Sequence, residues 1–165
     1  MQFDGVIFDW AGTTVDYGCF AEKYGRRPDE NDVLAMFNMF EEKLLSILHN
    51  FAEVKDGVCE TVRVLRAQGL KIGSTTGYND KMMSIVVPAA KANGYAPDVW
   101  FSPDSVGGAG RPKPYRIFKN MEALGLCDVR RVLKVGDTAS DITEGKNAGA
   151  DYVIQDIRGL LELVK

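Results

Sequence analysis

The sequence predicts a doubly wound α/β fold, a parallel sheet with helices on both faces. Three observations carry it. Short apolar runs alternate with helix-like stretches along the whole chain. The runs are continuously apolar, as strands buried on both faces are. Carboxylate and hydroxyl residues recur directly behind these runs, and in such sheets ligands sit outside the carboxyl ends of the strands.

Taken in order, Val6-Ile7-Phe8 is a buried strand ended by Asp9 and the loop at 11–14, AGTT. Residues from about 30 to 50 place Val33, Met36, Phe37, Phe40, Leu44, Ile47 and Leu48 at three- and four-residue spacing, the stripe of an amphipathic helix. A second helix runs from about Gly57 to Gln68, with Gly69 as its stop. Leu70 to Gly73 is a strand leading into STTGYND, and residues 79–93 suit a helix. Asp98 to Phe101 reads as a strand and Tyr115 to Leu124 as a helix. Arg131 to Val135 is a strand, Ser140 to Ala148 a helix, Tyr152 to Ile154 a last strand and Leu160 to Val164 a last helix. The segment 103–114, PDSVGGAGRPKP, is a Gly/Pro-rich loop.

The 165 residues fit one domain, 1–165, with enough chain for a core that needs no disulfide or metal staple. Apolar residues at 45% and charged residues at 26% exclude wholesale disorder. A net charge of −3 gives no general attraction to nucleic acid or to an anionic membrane, so neither is an expected partner. No apolar stretch approaches the ~20 residues that cross a bilayer, and the N-terminus lacks a signal-peptide pattern. Cys19, Cys59 and Cys127 are distant from one another and read as free thiols. A cytoplasmic location is therefore expected. The single His49 has no nucleophile elbow to serve and reads as structural.

The strand ends hold the chemistry. Asp9 follows the first strand, Thr76 lies just beyond the second, Asp137 and Asp141 follow a later one, and Arg111 precedes a helix. Three carboxylates, a hydroxyl and a guanidinium at one sheet edge suit Mg²⁺ and a phosphoryl group. A carboxylate can also attack phosphorus and form an aspartyl-phosphate. One Asp behind a strand is commonly just a turn or cap residue; five such groups at successive ends favour the chemical reading.

These segments resemble a known group. FDWAGTT with Asp9, STTGY with Thr76, RPKP with Arg111, and VGDTASD with Asp137 and Asp141 are similar to the four motifs of the haloacid dehalogenase superfamily. Segments 8–20, 71–78 and 134–149 resemble its phosphonatase branch closely, and 109–120 more loosely. The resemblance implies a Rossmann-like core and Mg²⁺ as cofactor. It implies Asp9 as nucleophile, with Asp9, the Ala11 carbonyl, Asp137 and Asp141 around the metal. Thr76 and Arg111 would act on the transferring group, with Lys113 as a rival for the arginine's place. Gly12, Thr13, Thr76, Gly77 and Arg111 would bind phosphate, glycine permitting close backbone approach. Lys134 reads as a strand residue.

Two departures bear on activity. Most of the superfamily has Asp where this chain has Ala11, and that Asp is the phosphatases' general acid; a methyl group cannot move a proton. Phosphonatases break a phosphorus–carbon bond instead, using a cap-domain lysine that forms a Schiff base with the aldehyde. After residues 18–21 (GCFA) the family has several dozen further residues, including that lysine, whereas this chain has only EKYGRRPDEN at 22–31. Residues 22–50 would be a reduced cap and helix remnant on a core whose cap is minimal or absent. Lys23 and Lys81, the nearest alternatives, read as solvated.

A small phosphonate or phosphate is thus the expected substrate. Hydrolysis of phosphonoacetaldehyde or of an activated phosphate is the leading reading. The alternatives are a phosphatase for another substrate and a non-catalytic Mg²⁺- and phosphate-binding core. The Met- and Phe-rich helix at 33–48 would bare an apolar face that a second copy could cover, leaving monomer and homodimer both open.

Overall fold

The computed structural model describes residues 4–9, 15–16 and 30–163. Its strands are β1 (Gly5–Asp9), β2 (Val15–Asp16), β3 (Glu53–Val54), β4 (Lys71–Thr75), β5 (Val99–Phe101), β6 (Val132–Val135) and β7 (Tyr152–Ile154). The α-helices are α1 (Glu30–Ile47), α2 (Val58–Ala67), α3 (Asp80–Ala92), α4 (Tyr115–Leu124), α5 (Ala139–Ala148) and α6 (Leu160–Leu163). Five strands form a parallel sheet in the order β5-β4-β1-β6-β7. Consecutive strands run outward from β1 on one side, and the chain then crosses back to start again on the other. In doubly wound sheets such a reversal marks the ligand-binding crevice outside the carboxyl ends of the strands, here at β1.

Side-chain alternation divides the core into two layers. Val6 and Phe8 of β1, Ile72 of β4, and Leu133 and Val135 of β6 pack with α2, α3, α6 and the end of α1. Ile7 and Val132 point to the opposite face, against Ile117, Met121 and Leu124 of α4 and Ala148 of α5. The expected α/β layering is therefore present.

The element boundaries follow from capping. Asn79 accepts a hydrogen bond from the Met82 amide at 3.0 Å to start α3, and Thr138 forms a capping box with Asp141 to start α5. Gly125 and Gly149, both at positive φ, close α4 and α5. The second main strand continues to Thr75, because register with β1 pairs Phe8 with Ser74 and Asp9 with Thr75. An antiparallel pair, β2 with β3, carries no clear signature in so short a stretch.

Among the described residues, the apolar stripe on α1 is buried only at its end. Leu44 and Leu48 are buried, but Phe40 is exposed, because the helix meets the core through its last turns, against α3 and the 3-10 turn at Leu48–Phe51. The side chains of Val33, Met36 and Phe37 lie outside the described residues. His49 is exposed in that turn, and Cys59 and Cys127 are exposed free thiols. Cys19 and Lys23 lie outside the described residues. No described helix is long and apolar enough to cross a membrane.

One contact fixes the height of α4 on the sheet. The Asn120 carboxamide accepts from the Ser74 amide at 3.1 Å and donates to the Ser74 carbonyl at 3.0 Å, acting as a surrogate strand neighbour beside β4. Gly73 makes room for it, since a Cβ there would lie 2.4 Å from Asn120 Oδ1. Gly73→Ala should break both hydrogen bonds and lower unfolding stability by about 2 kcal/mol at ~1 kcal/mol each. Urea denaturation checks this, and an unchanged midpoint would refute it.

Candidate active site

The carboxyl edge of the sheet gathers the expected residues from four segments. The backbone of Asp9 ends β1 in register with Thr75, the last residue of the neighbouring β4. Thr76 follows, fully buried, and its Oγ1 accepts the Tyr78 amide hydrogen bond at 3.0 Å. Gly77 is exposed next to it. Asp137 follows β6 by two residues and is exposed. Asp141 lies on the first turn of α5 and is completely buried. The side chain of Asp9, and Ala11, Gly12 and Thr13 altogether, lie outside the described residues.

Asp141 has two different oxygens. Its Oδ2 accepts from the Thr138 amide at 3.3 Å and from the Thr138 hydroxyl, which ties it to the start of its own helix. Its Oδ1 is buried, makes no hydrogen bond among the described residues, and is balanced by ion pairs to Arg111 Nε at 2.9 Å and Lys134 Nζ at 3.4 Å. Gly136 permits this approach: a Cβ there would lie 2.3 Å from the Asp141 Cβ.

Arg111 therefore reaches from the Gly/Pro-rich loop to the β6 side of the crevice. Its Nη2 also lies 3.4 Å from the Thr75 carbonyl at the tip of β4. Lys113, the rival for its place, is exposed. The geometry brings Arg111, from the loop before α4, and Thr76 and Asp141, from behind β4 and β6, to one edge of the sheet.

Three further residues belong to this edge: Glu144 and Arg116, which sequence reading did not single out, and Lys134, which it read only as a strand residue. Lys134 occupies β6 as expected of a strand residue, but its ammonium donates to Thr75 Oγ1 at 2.8 Å and lies 3.2 Å from Glu144 Oε2. Glu144 Oε1 accepts from Arg116 Nη2 at 2.9 Å, and Arg116 also donates to the Thr76 carbonyl. Lys134, Glu144 and Arg116 are completely buried. Two signals were available in the sequence: a lysine inside the run VLKV, and a second carboxylate three residues after Asp141, hence on the same helix face. Buried charges of this kind persist only when paired and hydrogen-bonded.

No described group of three or more His, Cys, Asp or Glu side chains gathers closely enough to hold a metal. The carboxylates described at this edge, those of Asp137, Asp141 and Glu144, offer oxygen donors only, the hard ligands that Mg²⁺ takes and soft metals do not favour.

Strand order, crevice and charged edge together place the chain in a class. It belongs to the haloacid dehalogenase-like hydrolases, whose family model matches residues 19–149. Within that family it is similar to the phosphonoacetaldehyde hydrolases of Bacillus cereus strain AH187 and of Bacillus cytotoxicus. Each is 41% identical over 210 aligned positions, covering 99% of this chain and 79% of the relative. Since 210 positions exceed the chain's 165 residues, at least 45 positions of each alignment hold no residue of this chain. Among solved structures, a phosphonoacetaldehyde hydrolase-like protein from Oleispira antarctica shares the fold with a TM-score of 0.83 at 23% identity, covering 99% of this chain and 92% of that one. A phosphoglycolate phosphatase-like structure from Lactobacillus plantarum does so at 0.72 and 16%, covering 99% and 100%. The chain is thus a hydrolase by family.

Proposed function

We propose that this chain transfers a phosphoryl group from a small phosphonate or activated phosphate to Asp9 and then to water, with Mg²⁺ as cofactor. The observation that carries the reading is the meeting of Arg111, Thr76 and Asp141 at the edge that Asp9 terminates, in a chain 41% identical to phosphonoacetaldehyde hydrolases. In this reading the Asp9 carboxylate attacks phosphorus while the bond to the leaving group breaks, and water then hydrolyses the aspartyl-phosphate. Asp9, the Ala11 carbonyl, Asp137 and Asp141 would hold Mg²⁺, which supplies positive charge to the phosphoryl oxygens. Thr76, its hydroxyl oriented by the Tyr78 amide, donates to the phosphoryl group. Arg111 supplies a permanent positive charge. Gly12, Thr13 and Gly77 bring backbone amides to the phosphate.

The leaving group is limited by Ala11, which cannot protonate it. An enamine, formed when the phosphorus–carbon bond electrons pass into a protonated Schiff base, would satisfy that limit, and so would the carboxylate of an acyl phosphate. The described lysines favour the second. Lys134 is buried and held by Thr75, Asp141 and Glu144. Lys81 is 72% exposed beside Glu41 at 3.7 Å, and Lys113 is exposed. Lys134 is thus committed to its carboxylate and hydroxyl partners, and Lys81 and Lys113 are solvated, so none of these three offers the desolvated, available amine of a Schiff base. In this reading residues 22–50 serve as a reduced cap and helix remnant.

The test is phosphate release from phosphonoacetaldehyde, acetyl phosphate and p-nitrophenyl phosphate, each with Mg²⁺ and with EDTA. We expect Mg²⁺-dependent turnover of acetyl phosphate well above that of the other two. Borohydride reduction in the presence of phosphonoacetaldehyde should leave the protein mass unchanged. A reduced adduct would overturn the acyl phosphate preference, and equal rates in EDTA would overturn the cofactor.

A further inference from the structure

We propose that Glu144 and Arg116 form a positioning pair that sets the direction and effective charge of Arg111. The inference rests on the phosphoryl-transfer reading above and assigns the pair no contact with the reacting atoms.

Glu144 lies one turn beyond Asp141 on α5 and uses both oxygens. Oε2 meets three groups, Lys134 Nζ at 3.2 Å, Thr75 Oγ1 at 3.3 Å and Arg111 Nε at 3.4 Å. Oε1 meets Arg116 Nη2 at 2.9 Å. Arg116 is anchored in turn on the Thr76 carbonyl, and Arg111 Nη2 approaches the Thr75 carbonyl. Two guanidiniums from the same loop-and-helix segment are thereby set on the last two carbonyls of the β4 tip, with one carboxylate between them.

Charge explains why two arginines are needed. In this described cluster Arg111, Arg116 and Lys134 stand against Asp141 and Glu144, a surplus of one positive charge. Without Arg116 the cluster would be neutral. Glu144 would then lose its strongest partner and draw more fully on Arg111. Without the Glu144 charge the surplus would rise to two and Arg111 would lose one of the two carboxylates that orient its Nε. The first change weakens attraction for a phosphate dianion. The second strengthens it but misdirects the guanidinium, and placement errors of about 1 Å can cost ~10²-fold in rate. Removing both charges restores the surplus of one.

The test uses the full chain with Mg²⁺ and two readouts: inorganic phosphate affinity by calorimetry, and kcat and KM on acetyl phosphate. Glu144→Gln should bind phosphate several-fold tighter while kcat falls at least tenfold. Arg116→Met should bind phosphate several-fold more weakly. The double variant should return phosphate affinity to within about twofold of wild type, so the single effects cancel instead of adding, which is the mark of coupled groups. A merely structural role would weaken binding in both single variants, and that result overturns the proposal. Where circular dichroism shows a single variant unfolded, Glu144→Asp and Arg116→Lys replace the pair. These keep the charges, so phosphate affinity should hold within threefold while kcat falls; loss of affinity with retained fold overturns the proposal. Phosphate-binding changes as expected, with no dependence of turnover on Asp9, would instead refute the phosphoryl-transfer reading and leave the pair standing.

Discussion

Asp9→Asn should lower phosphate release from acetyl phosphate by on the order of 10³-fold or more, the scale on which enzymes lose rate when a covalent nucleophile is removed. The amide keeps the shape of the carboxylate but is a poor nucleophile and offers no negative charge to a cation. The backbone of residue 9 is fixed by the pairing of β1 with β4, so the substitution leaves the sheet register to be set by Val6, Ile7 and Phe8, all fully buried. A circular dichroism spectrum like that of the wild type is therefore expected beside the lost activity. Turnover within tenfold of wild type would remove Asp9 from the nucleophile's place.

Gly136→Ala should damage stability and site together. The added Cβ would lie 2.3 Å from the Asp141 Cβ and 2.5 Å from its Cγ, distances no packing tolerates. The neighbour cannot swing aside cheaply, because Asp141 is buried, capped by Thr138 and ion-paired to Arg111 and Lys134. Nor can α5 simply lift, since a second glycine, Gly145, seats it against Lys134 and Val153 at distances that already exclude a methyl group. Overpacking of this kind costs about 1–3 kcal/mol, and strained contacts among buried ion pairs put this site at the upper end. Thermal melting should show the loss, and inorganic phosphate affinity should fall with it as Asp141 releases Arg111. A stable variant with wild-type phosphate affinity would mean that the β6–α5 turn does not position the site.

The fold was legible because its signals are local. Continuous apolar runs such as Val6 to Phe8 name buried strands, three- and four-residue apolar spacing names a helix ending near Leu48, and Gly69 names the end of the next. The residues directly behind the strands were legible for the same reason, their place being set by chain direction. How much of the α1 stripe is buried was not legible, because periodicity identifies a helix face but not how far along the helix a core extends. The β2–β3 pair escaped because two residues per strand carry no period.

Reading along the chain was enough for the layered α/β sheet, the family, and the placement of Asp9, Thr76, Asp137 and Asp141 behind strand ends. Each depends on order along the chain, which strands, caps and motifs record directly. Only the tertiary structure decided that Lys134, Glu144 and Arg116 join Arg111 and Asp141 in one buried charge network. Those residues come from a strand, two helices and a loop. Their pairing depends on how closely α4 and α5 approach the sheet, and that distance is set by Gly73 against Asn120, Gly136 against Asp141, and Gly145 against Lys134 and Val153, contacts between elements that no local pattern records.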